Sequence, residues 1–354
     1  MKSEFLSTAI GSMPFADPAY AVEVSLKTLD APIWPQLPKR SLLEQMEVQY
    51  SENIPCAVVN MEKNRMYFQT DTDYSEAFAE FYEQYITASD PDEGNGDFSY
   101  MAISEEYSKG IYAALDALRK RDKKLPWFKV QTTGPLSFAL TIVDENKRAI
   151  YYNEEFRDII VKSVSMKSRW QIQTFKPFAD NIICFIDEPI LSAFGSSTYV
   201  SVKRDEVLGI LNEVVEEVHA EGALAGIHCC GNTEWSILID AGADIVNFDA
   251  FEFGETIAMY ADSVKGHLNR GGMLAWGIVP TSEKIREQTV ESLEKKLEDV
   301  IENLASKGID KDLIVQQAII TPSCGTGTLD ANDADKVFEL LELLTRRMKE
   351  KYGF

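Results

Sequence analysis

Residues 224–231 read Leu-Ala-Gly-Ile-His-Cys-Cys-Gly and join a short apolar run to one histidine and two cysteines. A run of this length, followed by polar residues and glycine, is typical of a buried β-strand. Because side chains alternate along a strand, we expect His228 and Cys230 on one side and Cys229 on the other. An imidazole and a thiolate at the end of a strand are two of the ligands that zinc prefers. The stretch therefore predicts a strand that ends in part of a metal site.

Other short apolar runs end in the same way, with polar residues, glycine or proline. Together with the first, they occupy residues 9–10, 54–59, 128–131, 182–186, 224–227, 244–248, 273–276 and 313–320. Amphipathic helical patterns lie between many of them, as in 206–221, 291–307 and 333–351. Alternation of strand and helix indicates a parallel sheet, and eight such units indicate an α/β fold of the (β/α)8 TIM-barrel type. A doubly wound sheet is the alternative.

The full chain, residues 1–354, is expected to form a single barrel domain, because no repeat, low-complexity tract or linker divides it. The intervals between the second and third runs and between the third and fourth exceed one strand–helix unit, which predicts helical insertions. Residues 90–97 are polar and rich in turn formers. They are expected to form a surface loop or a lid near the active face.

Composition narrows the classes of partner. The formal charge is −22, from 35 basic and 57 acidic residues, which argues against nucleic acid and anionic membranes. The sequence has no apolar run long enough for a membrane span and no secretory leader pattern. Five cysteines in a long chain do not resemble a disulfide framework, so a cytoplasmic protein with free thiols is expected. Cys56 and Cys184 are expected in the core, and His219 and His267 on the surface.

A third metal ligand is available at another predicted strand end. Cys324 stands in residues 321–327, Thr-Pro-Ser-Cys-Gly-Thr-Gly. His228, Cys230 and Cys324 would give zinc three protein ligands and leave one position open, as in catalytic zinc sites. The ordinary alternative is that these are buried core residues. A fourth, oxygen ligand is expected from Asp249 or Glu252 after the next run, although either carboxylate has a supporting or capping role as its alternative.

Two further strand ends carry polar residues suited to a substrate. Asp187-Glu188-Pro189 places adjacent carboxylates after the fourth run, where they suit binding of an ammonium group or orientation of the metal ligands. Asp187 and Glu188 are the candidate catalytic residues. Only one of the two is expected to face the substrate, since neighbours on a strand point opposite ways. A helix cap or a salt bridge is the alternative. Gly11-Ser12 offers backbone amides and a hydroxyl to a substrate carboxylate.

Taken in order, these landmarks resemble the catalytic barrel of cobalamin-independent methionine synthase, in the superfamily that includes uroporphyrinogen decarboxylase and the methylcobamide:thiol methyltransferases. The matching segments are residues 10–14 (Ile-Gly-Ser-Met-Pro), 133–135 (Thr-Gly-Pro), 186–189 (Ile-Asp-Glu-Pro), the pair His228 and Cys230, and 324–325 (Cys-Gly). The resemblance spans nearly the whole chain. It implies a zinc-dependent methyltransferase of methionine biosynthesis that methylates a homocysteine-like thiol.

The resemblance also assigns roles to residues. Zinc would be held by His228, Cys230 and Cys324, and Asp249 aligns with a family glutamate ligand but is one methylene shorter. Ser12 and Asp187 would bind the amino-acid part of the thiol. Glu62 is the nearest counterpart of a further family glutamate that contacts the amino group.

The methyl donor is left open between methylcobalamin, free or on a corrinoid protein, and 5-methyltetrahydrofolate. Methionine synthases of this family are about twice as long, whereas His-x-Cys-Gly-Asn at 228–232 resembles the corrinoid-dependent enzymes more closely. Three alternatives stay open: a methylcobamide:coenzyme M-type enzyme with a non-amino-acid thiol, a metal-free decarboxylase of the uroporphyrinogen type, and a non-catalytic scaffold that partners a corrinoid protein.

Overall fold

The computed structural model describes residues 2–90 and 94–354. Its strands are β1 (Leu6–Ser7), β2 (Ala57–Asn60), β3 (Arg65–Phe68), β4 (Leu125–Thr133), β5 (Ala179–Asp187), β6 (Leu224–Cys229), β7 (Ile245–Phe248), β8 (Met273–Val279) and β9 (Ala318–Pro322). Its α-helices are α1 (Pro18–Thr28), α2 (Met46–Gln49), α3 (Ser75–Ser89), α4 (Lys109–Arg119), α5 (Pro135–Thr141), α6 (Glu154–Phe175), α7 (Arg204–Ala220), α8 (Trp235–Asp240), α9 (Ala250–Phe253), α10 (Ala261–Asn269), α11 (Val290–Ala305), α12 (Lys311–Gln316) and α13 (Ala331–Tyr352). Short 3₁₀ turns join several of them.

Seven strands of the described chain form one parallel sheet in the order β1-β9-β8-β7-β6-β5-β4. The first and last of these, β1 and β4, are joined by the extended residues 31–36. The Ala31 amide donates to Ser7 O at 2.9 Å, and the Lys129 amide donates to Pro32 O at 2.8 Å. Parallel bridges pair Ser12 with Gln36 and Ile33 with Lys129. This segment closes the ring, and the predicted TIM barrel is confirmed.

The second predicted strand is present, but it does not belong to the barrel sheet. Part of residues 54–59 forms β2, which pairs antiparallel with β3 in a hairpin separate from the barrel sheet. The place expected for it in the ring belongs to residues 31–36, which include Pro32 and Pro35. Proline has no amide hydrogen, so this segment makes only scattered ladder bonds and is not a regular strand.

The last predicted strand began too early. Residues 311–316 form α12, whose first turn is capped by the Asp310 carboxylate accepting from the Asp312 amide at 3.0 Å. The strand β9 begins at Ala318. Short apolar runs are ambiguous between strand and helix, and the Asp cap decides this one.

The barrel interior is filled below its carboxyl-terminal end. The buried interior side chains are mostly aliphatic: Leu6, Ile10, Ala31, Ile183, Phe185, Ile245, Met273, Ala275 and Ile319. A Cβ on Gly226 would lie 2.4 Å from the Phe185 ring, so glycine makes room for that ring. A larger core lies between the sheet and the outer helices. The packed interior leaves the carboxyl-terminal end as the face where polar side chains gather.

Two smaller expectations concern the periphery. The turn-rich stretch 90–97 includes residues 91–93, which lie outside the described residues. Within the described part, Gly96 O accepts from Gln173 Nε2 at 3.0 Å, near the carboxyl end of α6. None of the described helices combines the length and the apolar character that crossing a bilayer requires.

Candidate metal centre

The structure brings His228, Cys230 and Cys324 together. Their ligand atoms all lie within 4.8 Å of one another, and no other such group of three His, Cys, Asp or Glu residues occurs in the described ranges. His228 is on β6, Cys230 directly follows that strand, and Cys324 lies two residues beyond β9. His228 is buried, whereas both thiols are partly exposed. The cluster therefore sits at the mouth of the barrel, with its histidine inside and its sulfurs toward the opening.

The electrostatics of the cluster favour a ligand thiolate. The Cys324 thiol, through its hydrogen bond, and the neighbouring His228 ring hold the pKa of Cys230 well below its usual range, against the effect of burial. Thiolate is the form of cysteine that binds metals. Cys229, the intervening residue, is different: it is buried, its Sγ lies 3.5 Å from Gly231 O, and burial raises its pKa to about 12. The expected separation of the two adjacent cysteines is thus present in the structure.

Asn247 on β7 orients the histidine. Its Nδ2 donates to Ala275 O and to Thr321 Oγ1, both at 2.9 Å, which fixes the amide. Its Oδ1 then faces His228 Nδ1 at 2.5 Å and accepts the proton there. Nε2 is the ring nitrogen left to ligate a metal once it is deprotonated, and it is buried without a hydrogen-bond partner. A carbonyl oxygen on one ring nitrogen is the usual support for metal ligation by the other.

Asn247 is a site residue that the sequence reasoning missed. A usable signal exists, because Asn247 is the one polar residue inside the apolar run 245–248. The register pairs it directly with His228 on the adjacent strand. In-register neighbours of a parallel sheet face the same side.

Ser12 supports the loop that carries Cys324. Its carbonyl accepts from the amide and hydroxyl of Thr326, at 2.8 and 3.0 Å, and its Oγ accepts from the Gly327 amide at 3.3 Å. A Cβ on Gly325 would lie 2.0 Å from Ser12 Oγ, so only glycine permits this approach. Ser12 is partly exposed beside the loop that carries Cys324.

Asp187 ends β5 next to His228, with which it is in register. It is 8% exposed, and its Oδ1 has no hydrogen-bond partner. Burial raises the pKa of Asp187 to about 6, with Lys129 and His228 opposing that shift. Lys129 is itself buried inside the barrel, and its Nζ donates to Ile10 O and Gln131 Oε1. Asp187 is therefore the carboxylate of the Asp-Glu pair that faces the cluster.

Glu188, predicted to be catalytic, has its carboxylate bound by the start of α5. Its carboxylate accepts from the amides of Leu136 and Ser137, at 2.9 and 2.8 Å, and from Ser137 Oγ at 2.6 Å. A Cβ on Gly134 would lie 2.0 Å from Glu188 Cδ. The glycine of Thr-Gly-Pro thus admits a buried carboxylate that binds the start of α5. Burial raises the pKa of Glu188 to about 7.

The two candidate oxygen ligands do not join the cluster. The Asp249 carboxylate caps α9 by accepting from the Glu252 amide at 2.9 Å, and burial raises its pKa to about 6. The Glu252 carboxylate is exposed and forms an ion pair with Lys284 at 2.6 Å. The capping role considered for Asp249 is the one seen here.

Three other residues singled out in the sequence, Glu62, His267 and His219, are not part of the cluster. Glu62 is exposed in the turn between β2 and β3, and no hydrogen bond or ion pair in the described residues links it to the cluster. His267, expected on the surface, is fully buried on α10 with Nε2 at 3.1 Å from Met273 O. Gly272 leaves space for that ring, since a Cβ there would lie 2.3 Å from it. His219 is partly exposed and contacts Asp244 at 2.7 Å.

Comparison with known proteins does not assign this chain to a family. No known protein family and no curated protein matches the chain. Among solved structures, a D-tagatose 3-epimerase-like protein is 18% identical, covering 71% of this chain and 89% of that one with a TM-score of 0.39. A provisionally assigned fructose-1,6-biphosphate aldolase from Coccidioides immitis is 9% identical, covering 69% and 76%, with a TM-score of 0.31. The assignment of the barrel therefore rests on its strand order and closure.

The donor set fits zinc. One imidazole nitrogen and two sulfurs are the ligand types of tetrahedral zinc sites, whereas calcium and magnesium prefer oxygen. His228 Nε2 is a buried polar atom with no protein partner, and a metal ion would satisfy it. Three protein ligands leave one position for an exchangeable group.

Proposed function

We propose that this protein is a zinc-dependent methyltransferase that methylates a small thiol. The observation that carries the proposal is the convergence of His228 Nε2, Cys230 Sγ and Cys324 Sγ at the mouth of the barrel, with Asn247 fixing the tautomer. The resemblance of the strand-end motifs to methionine synthase-like barrels supports the same proposal.

Each residue of the site has a distinct task under this proposal. His228, Cys230 and Cys324 would hold the metal, and Ser12 would keep the Cys324 loop in place. Bound zinc would lower the pKa of an acceptor thiol and so supply a thiolate near neutral pH. Asp187, with an unpartnered carboxylate oxygen, would bind a cationic group of the acceptor.

The reaction would join the acceptor sulfur to the methyl carbon while the donor keeps the electron pair of its broken bond. A methylcorrinoid, free or on a corrinoid protein, needs no proton to accept that pair, whereas the nitrogen of 5-methyltetrahydrofolate does. The His-x-Cys-Gly-Asn motif favours the corrinoid. L-Homocysteine is the acceptor that the Asp187 carboxylate favours over a sulfonate such as 2-mercaptoethanesulfonate.

The metal assignment is tested by elemental analysis of purified protein. We expect about one zinc per chain, lost in Cys230→Ser and in Cys324→Ser. Cys229→Ser is the matched control, because that thiol turns away from the cluster, and it should retain the metal. Full zinc retention in both ligand variants would refute the site.

The activity is tested by incubating zinc-loaded protein with each acceptor thiol and each donor. The four pairs combine L-homocysteine or 2-mercaptoethanesulfonate with methylcobalamin or 5-methyltetrahydrofolate, and mass spectrometry detects the methyl thioether. We expect L-methionine from L-homocysteine and methylcobalamin, and none from Cys324→Ser. If a protein that holds zinc produces no thioether in any pair, the proposed reaction is wrong.

A further inference from the structure

A row of three unpartnered polar atoms lies across adjacent strands at the mouth of the barrel. They are Thr133 Oγ1 at the end of β4, Asp187 Oδ1 at the end of β5 and His228 Nε2 on β6. The sheet register pairs Thr133 with Asp187, and Asp187 with His228. In-register residues of parallel strands point to the same side, so all three face the barrel interior.

All three residues are shielded from solvent. Thr133 is 0%, Asp187 8% and His228 2% exposed. Buried polar atoms almost always have a hydrogen-bond partner, and an unpaired one calls for an explanation. The metal explains His228, but the hydroxyl of Thr133 lies two strands away, at about 10 Å from strand spacing alone. A ligand that starts at the metal and extends toward β4 would pass Asp187 and then reach Thr133.

The chemistry of the row selects one kind of ligand group. A carboxylate oxygen accepts hydrogen bonds, and a threonine hydroxyl can accept or donate. The nearby cation, Lys129, already donates to Ile10 O and Gln131 Oε1 and lies 4.6 Å from the centre of the Phe185 ring. An anionic group placed here would face the Asp187 carboxylate, and two of the three Lys129 donors are already used. An ammonium group would satisfy both Asp187 and Thr133.

We infer that Thr133 is a specificity-determining residue, whose hydroxyl contacts the amino group of the acceptor thiol together with Asp187. The inference rests on the proposed function, because the metal defines where the sulfur lies. It adds a ligand contact to Thr133, which the sequence analysis named only as part of the Thr-Gly-Pro segment. Thr133 acts in binding and takes no part in metal ligation or methyl transfer.

The test compares Thr133→Val, which keeps the shape and removes the hydroxyl, with wild type. The probes are L-homocysteine and 4-mercaptobutanoate, which lacks only the amino group. Titration calorimetry on the purified zinc-containing protein measures binding directly, so the result does not depend on turnover. We expect Thr133→Val to bind L-homocysteine about tenfold more weakly, to bind 4-mercaptobutanoate as wild type does, and to retain zinc. In turnover, KM for L-homocysteine should rise while kcat stays constant.

Thr132→Val is the matched control. Thr132 is the preceding residue of β4, equally buried, and its Oγ1 contacts Thr133 O at 3.3 Å. It should leave both affinities unchanged. Unchanged L-homocysteine affinity in Thr133→Val, or an equal loss for both thiols, would overturn the inference, as would wild type binding neither thiol. Wild type that discriminates between the thiols yet forms no methyl thioether would instead count against the proposed reaction alone.

Discussion

The amide of Asn247 offers the sharpest test of the metal centre. Asn247→Leu keeps the approximate shape and removes all three hydrogen bonds, to His228 Nδ1, Ala275 O and Thr321 Oγ1. The imidazole then has no fixed acceptor at Nδ1, and its tautomer and ring orientation are no longer specified. Loss of such a supporting contact typically weakens metal binding 10–100-fold. Because each factor of ten is about 1.4 kcal/mol, we expect the zinc affinity to fall by ~1.4–2.7 kcal/mol.

The assay is competition for zinc against a chromophoric chelator of known affinity. Asn247→Asp is the informative partner variant, since it keeps an acceptor for His228 Nδ1 and should hold zinc at least as well as Asn247→Leu does. Asn212→Leu is the distant control: Asn212 lies on α7, donates to Ala241 O at 3.4 Å and should leave zinc binding unchanged.

Stability must be measured alongside, because Asn247→Leu leaves two buried acceptors without a donor. Each unsatisfied group costs about 1–3 kcal/mol, so the free energy of unfolding should also fall. Circular dichroism and urea unfolding with chelator present separate this effect from metal affinity. A folded Asn247→Leu protein that binds zinc within twofold of wild type would refute the proposed orienting role.

Three further predictions address other parts of the structure. Lys167 is fully buried and donates to Glu52 O and Met101 O, and burial lowers its pKa to about 7. Above pH 7 the unfolded chain therefore binds more protons than the folded one, so the free energy of unfolding should rise with pH by up to ~1.4 kcal/mol per pH unit. Lys167→Met should flatten that rise in urea unfolding with chelator between pH 7.5 and 9.5, and an unchanged slope would contradict the assignment. Gly134→Ala should lower the thermal midpoint by several degrees, since its Cβ would meet a buried carboxylate, and a midpoint equal to that of wild type would count against the packing described. Asp249→Asn should keep zinc affinity within about twofold by chelator competition, because Asp249 caps α9, whereas a tenfold loss would show direct ligation.

The strands that could be predicted from the sequence are those that form regular backbone hydrogen bonds within the barrel sheet. The runs at 128–131, 182–186, 224–227, 244–248 and 273–276 all overlap barrel strands, because a strand covered on both faces needs continuous apolar residues. Residues 31–36 were not predicted as part of the ring, because prolines interrupt their backbone hydrogen bonding. The backbone hydrogen bonds that they do make are with Ser7 and Lys129, which are far away in sequence. The hairpin of β2 and β3 has strand-like composition but forms its own two-stranded sheet, with one further bridge from Phe68 to Asp144. The composition of a segment indicates its burial and its local propensity, but it does not indicate which strand the segment pairs with.

The candidate site also contains residues that the sequence predicted correctly and residues that it did not. Alternation along β6 was enough to place His228 and Cys230 together, and the shared end of a parallel sheet was enough to add Cys324. The carboxylates were harder, because their directions depend on local capping: Asp249 turns to an amide three residues on, and Glu252 turns to Lys284. The sequence alone did not show which of Asp187 and Glu188 faces the cluster. Only the contacts with α5 show that the Glu188 carboxylate is bound to the start of that helix.

The position of Cys324 in the ring has a consequence for how the barrel holds together. β9 pairs with both β1 and β8, so it joins the first strand of the chain to the rest of the sheet. Cys324, which follows β9, would be tied by the metal to His228 on β6, three strands away in the sheet. Any ion that binds only the closed form stabilises closure in proportion to its affinity and concentration. Metal binding should therefore stabilise closure of the barrel and slow amide hydrogen exchange in the paired strands β1 and β9 more than in β4 and β5.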